Sequence, residues 1–259
     1  MNESRESPVL CRFSVEDASL LFGLSKSVGW PTSLETWRLF LALPCGICFG
    51  HRASSGEAVS SAILFRYGAS MAFLAMVIVR PDYRKRGLAG ATIRRCLSCM
   101  ESSVPVALIA TEQGFPVYTK LGFRGIGAVQ RFSRPRGTGT SVIGGGKYGI
   151  YPFEKNDFAA LCELDAKIYG VARHDVLSAY VRQSTKCLVS RAAQGIIGFG
   201  MRTERSGLST LGPVIASDME AAEQLTAHLL ATDMPVQMDI NAEHSVLADR
   251  LTSWGFVAE

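Results

Sequence analysis

The chain is poor in charge. Only 19% of its 259 residues are Asp, Glu, Lys or Arg, and the formal net charge is +4. The 27 basic residues are scattered apart from small clusters, so there is no broad basic face of the kind that tracks a nucleic-acid backbone; small anions suit such clusters better. No apolar run reaches the ~18 residues of a membrane-spanning helix, and the start MNESRESPVL lacks a cationic segment leading into an apolar one. A cytoplasmic protein is expected, without nucleic-acid or membrane partners, as a monomer or a homodimer. Histidine is scarce, and His51, His174, His228 and His244 show no ligand spacing, so they read as surface or core residues. The seven cysteines are odd in number and lie inside apolar runs, which suits reduced, packed thiols better than a disulfide framework. Cys45 with Cys48 and Cys96 with Cys99 leave a four-thiolate zinc site formally open. The second pair falls within an amphipathic helix, however, and the gap between the pairs far exceeds the roughly 15 to 20 residues of a zinc ribbon. No metal is expected.

What the chain does have is a 47% apolar content, enough to build a core, in a length that favours two modest domains. Residues 14–27 open on Ser14, carry Asp17 early and place Leu20, Leu21 and Leu24 at helical spacing. A second helix is expected over residues 33–43, then a hairpin of strands over 46–51 and 58–67 around the turn formers Ser54, Ser55 and Gly56. The run from Met71 to Val79 reads as a buried central strand stopped by Pro81. A helix with Leu88, Ile93 and Cys96 on one face follows, then a strand over 104–110 and a short helix over 115–121 ended by Gly122. This alternation is an α/β fold with a mixed sheet. Six glycines between Ser133 and Gly149 mark a boundary, giving domains 1–133 and 149–259 joined by a linker at 134–148.

The second half repeats the order, with helices over 158–168, 176–182 and 218–230 and strands over 187–191, 195–202 and 236–240. The run from Tyr118 to Phe123 aligns with that from Leu251 to Phe256, each closing a helix with Gly-Phe. Two copies of one fold, the second degenerate, account for both halves.

Chemistry concentrates between Val79 and Gly90, where a buried strand turns into a helix. Amides at a helix start have no intrahelical acceptor and sit at the positive end of the helix dipole, so they can hold a pyrophosphate. Gly87, Ala89 and Gly90 leave room for phosphate to approach the backbone, and Arg84, Lys85 and Arg86 add positive charge. The basic residues precede the last glycine, unlike those of a nucleoside-triphosphate loop, and the dinucleotide pattern G-x-G-x-x-G is absent. On its own, such a segment can also be an ordinary turn.

Val79, Pro81, Tyr83, Arg84, Gly87 and Ala89 fit V-x-P-x-(Y/F)-(R/Q)-x-x-G-x-(G/A), and in this the chain resembles the GNAT superfamily of N-acetyltransferases. The run from Tyr118 through Phe123 resembles that superfamily's next motif. The resemblance implies an α/β (α+β) architecture of two tandem GNAT-like domains, each a mixed, mostly antiparallel sheet flanked by helices. It implies acetyl-CoA as co-substrate, with backbone groups of Val77, Ile78 and Val79 along the pantetheine arm and residues Arg84, Lys85, Arg86, Gly87, Leu88, Ala89 and Gly90 around the pyrophosphate. Tyr118 would protonate the departing thiolate, and Glu112 is the carboxylate best placed to take the proton of the amine. Many relatives carry an asparagine where this chain has Thr111, Glu112 and Gln113.

The second half has no such basic, glycine-containing string. Leu211 to Asp218 is read as its strand-to-helix turn, without a basic residue, and Leu251 stands where Tyr118 stands in the first copy. Its opening, with Leu161, Leu164, Asp165, Tyr169, Gly170 and Arg173, is similar to that of two-domain GNAT proteins, which implies acceptor-side roles for Asp165 and Arg173; an ion pair between them is the other reading. Trp30 is expected on the acceptor side and Trp37 in the core. The activity implied is transfer of an acetyl group to a primary amine of a small molecule or peptide. The alternatives are an acyl-CoA-binding sensor without turnover and a thiol-based metal protein.

Overall fold

The computed structural model describes residues 7–137 and 146–259. The chain divides into two units, residues 1–124 and 125–259. In the first, β1 (Val9–Phe13) leads through a 3-10 turn into α1 (Ala18–Ser27) and α2 (Leu34–Ala42). Ser14 N–H is held by the Asp17 carboxylate at 2.9 Å, which ties the 3-10 turn ahead of α1, and the Ser33 hydroxyl accepts the Thr36 amide, which caps α2. Trp37 is fully buried, and its indole N–H donates to Ser25 Oγ at 3.1 Å.

The chain then runs β2 (Gly46–Arg52), β3 (Ala58–Tyr67), β4 (Met71–Val79), α3 (Leu88–Leu97), β5 (Val106–Ala107) and α4 (Phe115–Lys120). The sheet order is β1-β2-β3-β4-β5, antiparallel except for the parallel pair β4-β5. On one face, Ile93 and Cys96 of α3 and Tyr118 of α4 pack on Phe49, Ala62, Leu64 and Leu74. Each fully buried aliphatic side chain there stabilises the fold by about 1.5–3 kcal/mol.

The second unit is built from β6 (Val129–Arg134), β7 (Gly149–Pro152), α5 (Phe158–Tyr169), α6 (His174–Gln183), β8 (Lys186–Ala192), β9 (Gly195–Arg205), β10 (Leu208–Ala216), α7 (Met219–Leu229), β11 (Val236–Asn241), α8 (Ser245–Ser253) and β12 (Val257–Ala258). Its sheet order, β7-β8-β9-β10-β11, repeats that of the first unit, and β6 and β12 extend it beyond β11. The pair β10-β11 is parallel, as β4-β5 is. The repeat reaches individual hydrogen bonds. Phe123 N–H returns to Tyr118 O at 3.1 Å across the left-handed Gly122, and Phe256 N–H returns to Leu251 O at 3.0 Å across the left-handed Gly255.

Several sequence expectations differ from what is observed. The division falls between Arg124 and Gly125, ahead of the expected boundary, because β6 pairs with β11 and β12 of the second sheet. Most of the expected linker, residues 138–145, lies outside the described residues. The strand expected over 104–110 is reduced to Val106–Ala107, since its pairing with β4 stops there. Leu211 to Ala216 is strand rather than turn, continuous with β10 across a bulge at Gly212 and Pro213. No helix among the described residues is long and apolar enough to cross a membrane.

Candidate active site

The site starts from an interruption in β4. Ser61 pairs with Ile78 and Ile63 with Ala75, so Met76 and Val77 together face Ala62. Met76 takes the left-handed φ of 53°, unusual for a side chain of its size, and Ser61 Oγ–H caps the carbonyl that the bulge releases, at 2.8 Å. On the other side β5 pairs with β4 only through Ala72 and Phe73. Beyond Phe73 the two parallel strands part, and among the described residues no strand pairs with the edge of β4 from Val77 to Val79 on that side. An extended chain can bond such an edge as an added strand.

The strand leads into a turn held by its own side chains. Arg80 forks onto Asp82 at 2.8 and 2.9 Å and also reaches Glu57 at 2.7 Å, while the guanidinium groups of Arg80 and Arg86 lie 4.6 Å from the Tyr83 ring centroid. Arg84 Nε donates to Val79 O and Arg86 to Asp82 O. Left-handed residues at Lys85 (φ 61°) and Gly87 (φ 77°) bring the chain into α3. Gly87 is the residue before the helix and supplies no side-chain cap, and the Ala91 amide bonds back to its carbonyl. The amides of Leu88, Ala89 and Gly90 therefore have no acceptor within the helix, which makes this a place for an anion.

A cavity of about 550 Å³ joins these parts. Val77, Ile78, Val79, Arg84, Lys85, Gly87, Leu88, Ala89 and Gly90, all expected at a cofactor site, line it together with Trp30 and Tyr118. Arg86 does not line it; its guanidinium is committed to Tyr83 and to Asp82 O. Tyr118 is 9% exposed and lies edge-on to Phe123, with ring centroids 6.0 Å apart. Burial pushes its phenol above the ordinary tyrosine value, which favours the protonated form. Trp30 is 36% exposed, whereas Trp37 is sealed in the core.

Three expected site residues stand elsewhere. Glu112 is exposed and outside the lining, although Thr111 and Gln113 on either side belong to it. Asp165 and Arg173 are in the second unit and are taken up by each other. Both carboxylate oxygens of the fully buried Asp165 accept from the Arg173 fork, at 2.8 and 2.9 Å, and Tyr169 stacks on the guanidinium at 3.8 Å. This is the ion pair that the sequence left as the other reading of these two residues.

The lining also includes Val28, Tyr83, Gly114 and Val117, which had not been singled out as contacts. Gly114 was within reach of the sequence, since four residues before Tyr118 is one helical turn away on the same face. Among the thiols, Cys48 and Cys96 are core residues; burial raises both, Cys96 to about 12, and so disfavours the thiolate that a metal needs. No group of three or more His, Cys, Asp or Glu among the described residues is placed to hold a metal ion. Of the histidines, His51 is buried, with Nδ1 2.7 Å from Ser60 Oγ and 3.2 Å from Thr92 Oγ1.

Known proteins resemble this chain in sequence and in fold. Residues 161–259 match the family described as acetyltransferase (GNAT) domain. Over 253 residues, 95% of this chain and 87% of the relative, the sequence is 29% identical to YitH of Bacillus subtilis, an uncharacterized N-acetyltransferase. A Pyrococcus horikoshii protein of known structure superposes with a TM-score of 0.78 at 20% identity, covering 100% of this chain and 88% of that one. A tandem GNAT protein from the clavulanic acid biosynthesis pathway superposes with a TM-score of 0.66 at 13% identity, covering 96% and 95%. With the repeated topology, these likenesses give the chain a fold of two GNAT-like units in tandem, and the match to the GNAT family itself spans residues 161–259.

Proposed function

We propose that the protein is an acetyl-CoA-dependent N-acetyltransferase acting on a primary amine of a small molecule or peptide, with its site in the first unit. The observation that carries this reading is the single cavity into which the open edge of β4, the uncapped start of α3 and the Tyr118 side chain all lead. The fit to the co-substrate is chemical. The strand edge offers backbone groups to the amide-bearing pantetheine arm, and the amides of Leu88 to Gly90, with Arg84 and Lys85 alongside, suit a pyrophosphate.

Acetyl-CoA supplies an activated thioester. The amine nitrogen bonds to its carbonyl carbon, the carbon–sulfur bond breaks, and Tyr118 Oη gives its proton to the departing thiolate. Glu112, one residue along the chain from two lining residues, would take the proton of the amine through water. The raised Tyr118 value carries a sign: burial disfavours the phenolate, so loss of the acid is displaced to higher pH than for an ordinary tyrosine.

Acetyl-CoA titration in a calorimeter, paired with free-thiol release over a panel of amines, tests the reading. Binding with release in the presence of at least one amine is expected. Binding without release from any amine would mean a sensor rather than an enzyme. Tyr118→Phe is expected to lower kcat about 100-fold while leaving the acetyl-CoA dissociation constant within about twofold; an unchanged kcat would remove Tyr118 from the mechanism.

A further inference from the structure

Of the three glycines that line the cavity, Gly87 and Gly114 stand at opposite ends of the proposed chemistry, and they are glycines for different reasons. At Gly87 a Cβ would meet nothing within 4 Å, but φ is +77°, so the backbone excludes a side chain. At Gly114 the case is reversed. Its φ of −81° and ψ of −29° are ordinary right-handed values that any residue adopts. A Cβ there would lie 2.9 Å from Cε2 of Tyr118 and 3.3 Å from Thr111 Oγ1.

Gly114 cannot easily retreat from that ring. Its amide is held by Thr111 O at 2.9 Å and by Thr111 Oγ1 at 3.2 Å, and its carbonyl accepts the amides of Val117 and Tyr118 at 2.9 and 3.3 Å. Helix α4 thus begins from a turn pinned on both sides of the glycine. Carbon atoms in ordinary contact stand about 3.5 Å apart or more, so a methyl group at position 114 would displace the ring by roughly 0.6 Å. The ring is itself packed against Phe123 and forms part of the α3 core cluster, so it has few places to go.

We propose that Gly114 is a positioning residue: by presenting no side chain, it sets where the Tyr118 ring lies in the cavity, with Thr111 fixing the turn that carries it. The catalytic side of this inference rests on the reading of Tyr118 as the acid; the placement of the ring does not. A displacement of this size matters in an active site, where about 1 Å of misplacement can cost 100-fold in rate.

The test is Gly114→Ala in the full chain, alone and combined with Tyr118→Phe. Because alanine suits a right-handed helix start, thermal unfolding is expected to stay within a few degrees of the parent. We expect kcat to fall about tenfold or more, with acetyl-CoA affinity within about twofold. In the Tyr118→Phe background the same alanine should lower kcat by less than about twofold, because the hydroxyl whose position it disturbs is gone. An equal loss in both backgrounds, or no loss in either, overturns the catalytic part.

Ring placement has a readout of its own. Ultraviolet titration of the tyrosines, with the Tyr118→Phe trace subtracted, isolates the Tyr118 phenol. Gly114→Ala should move its titration; an unmoved titration overturns the proposal whatever the kinetics show. A moved titration with undiminished kcat supports the placement and instead overturns Tyr118 as the acid.

Discussion

The starts of α3 and α7 are the same place in two copies of one architecture, and they have opposite chemistry. Each follows a strand interrupted by a bulge, Met76 and Val77 in β4 and Gly212 and Pro213 in β10, where two residues face one. Each strand also has a parallel neighbour that pairs only before the bulge. At α3 the helix is led by Gly87, with no side chain over its amides. At α7 it is led by Asp218, whose Oδ1 accepts the Ala221 amide at 2.8 Å and whose Oδ2 accepts the Tyr148 hydroxyl at 2.6 Å. Glu220 adds a second carboxylate, accepting the Lys147 amide at 3.2 Å. A negative charge already occupies the position where phosphate would sit, so the helix dipole is spent on stability. The opening of strands is common to both units, and the residue before the helix is what differs, a glycine in one and a capping carboxylate in the other.

The largest effect that would sharpen this contrast is expected deep in the second unit. Arg173→Ala leaves the fully buried Asp165 without its partner, a loss of about 3–5 kcal/mol by urea unfolding. Unchanged stability with a raised KM for the amine would instead return Asp165 and Arg173 to an acceptor role.

Next in size, Gly87→Val forces a β-branched residue into a left-handed conformation at about 1–3 kcal/mol, and acetyl-CoA binding should weaken roughly 10- to 100-fold by calorimetry. Retained affinity would show that the start of α3 is not the anion site.

The smallest effect belongs to Asp218→Ala. It should cost about 1 kcal/mol of stability through loss of the cap, while the acetyl-CoA stoichiometry stays at one per chain. A second equivalent of acetyl-CoA would break the comparison, because a carboxylate would then be all that silenced the second copy. The Tyr148 hydroxyl, followed by the Ala221 amide, holds the Asp218 carboxyl below its usual range. Its contribution is therefore present above the ordinary carboxylate value near 3.9 and lost as pH falls through the lowered one. Tyr148→Phe should flatten that acid dependence of the unfolding midpoint.

The sequence revealed features that rest on local chemistry and hid those made by distant pairing. The helices announced themselves through caps and apolar spacing, and the turn from Arg80 to Gly90 through its glycine and basic residues. Strand β1 and strand β6 carry little apolar alternation of their own, and each is a strand because of the partner it meets, β2 and β11 respectively. Tyr118 was legible from its helix and the Gly-Phe closure, whereas Val28 and Val117 belong to the lining only because the chain folds them toward β4. Glu112 shows the limit of proximity in sequence: both its neighbours line the cavity and it does not. Asp165 and Arg173 show another, since a charged pair eight residues apart looks the same on paper whether it greets a ligand or satisfies itself.

Strand β6 bears on how the protein may be taken apart. It follows the Gly-Phe closure of the first copy, yet it lies between β12 and β11, bonded on both sides within the second sheet. A fragment beginning in the glycine-rich stretch would lose an interior strand, leaving β11 as a bare edge open to pairing with other molecules. Dissection between Arg124 and Gly125 keeps that sheet whole, and only a C-terminal piece that includes β6 is a fair sample of the second unit.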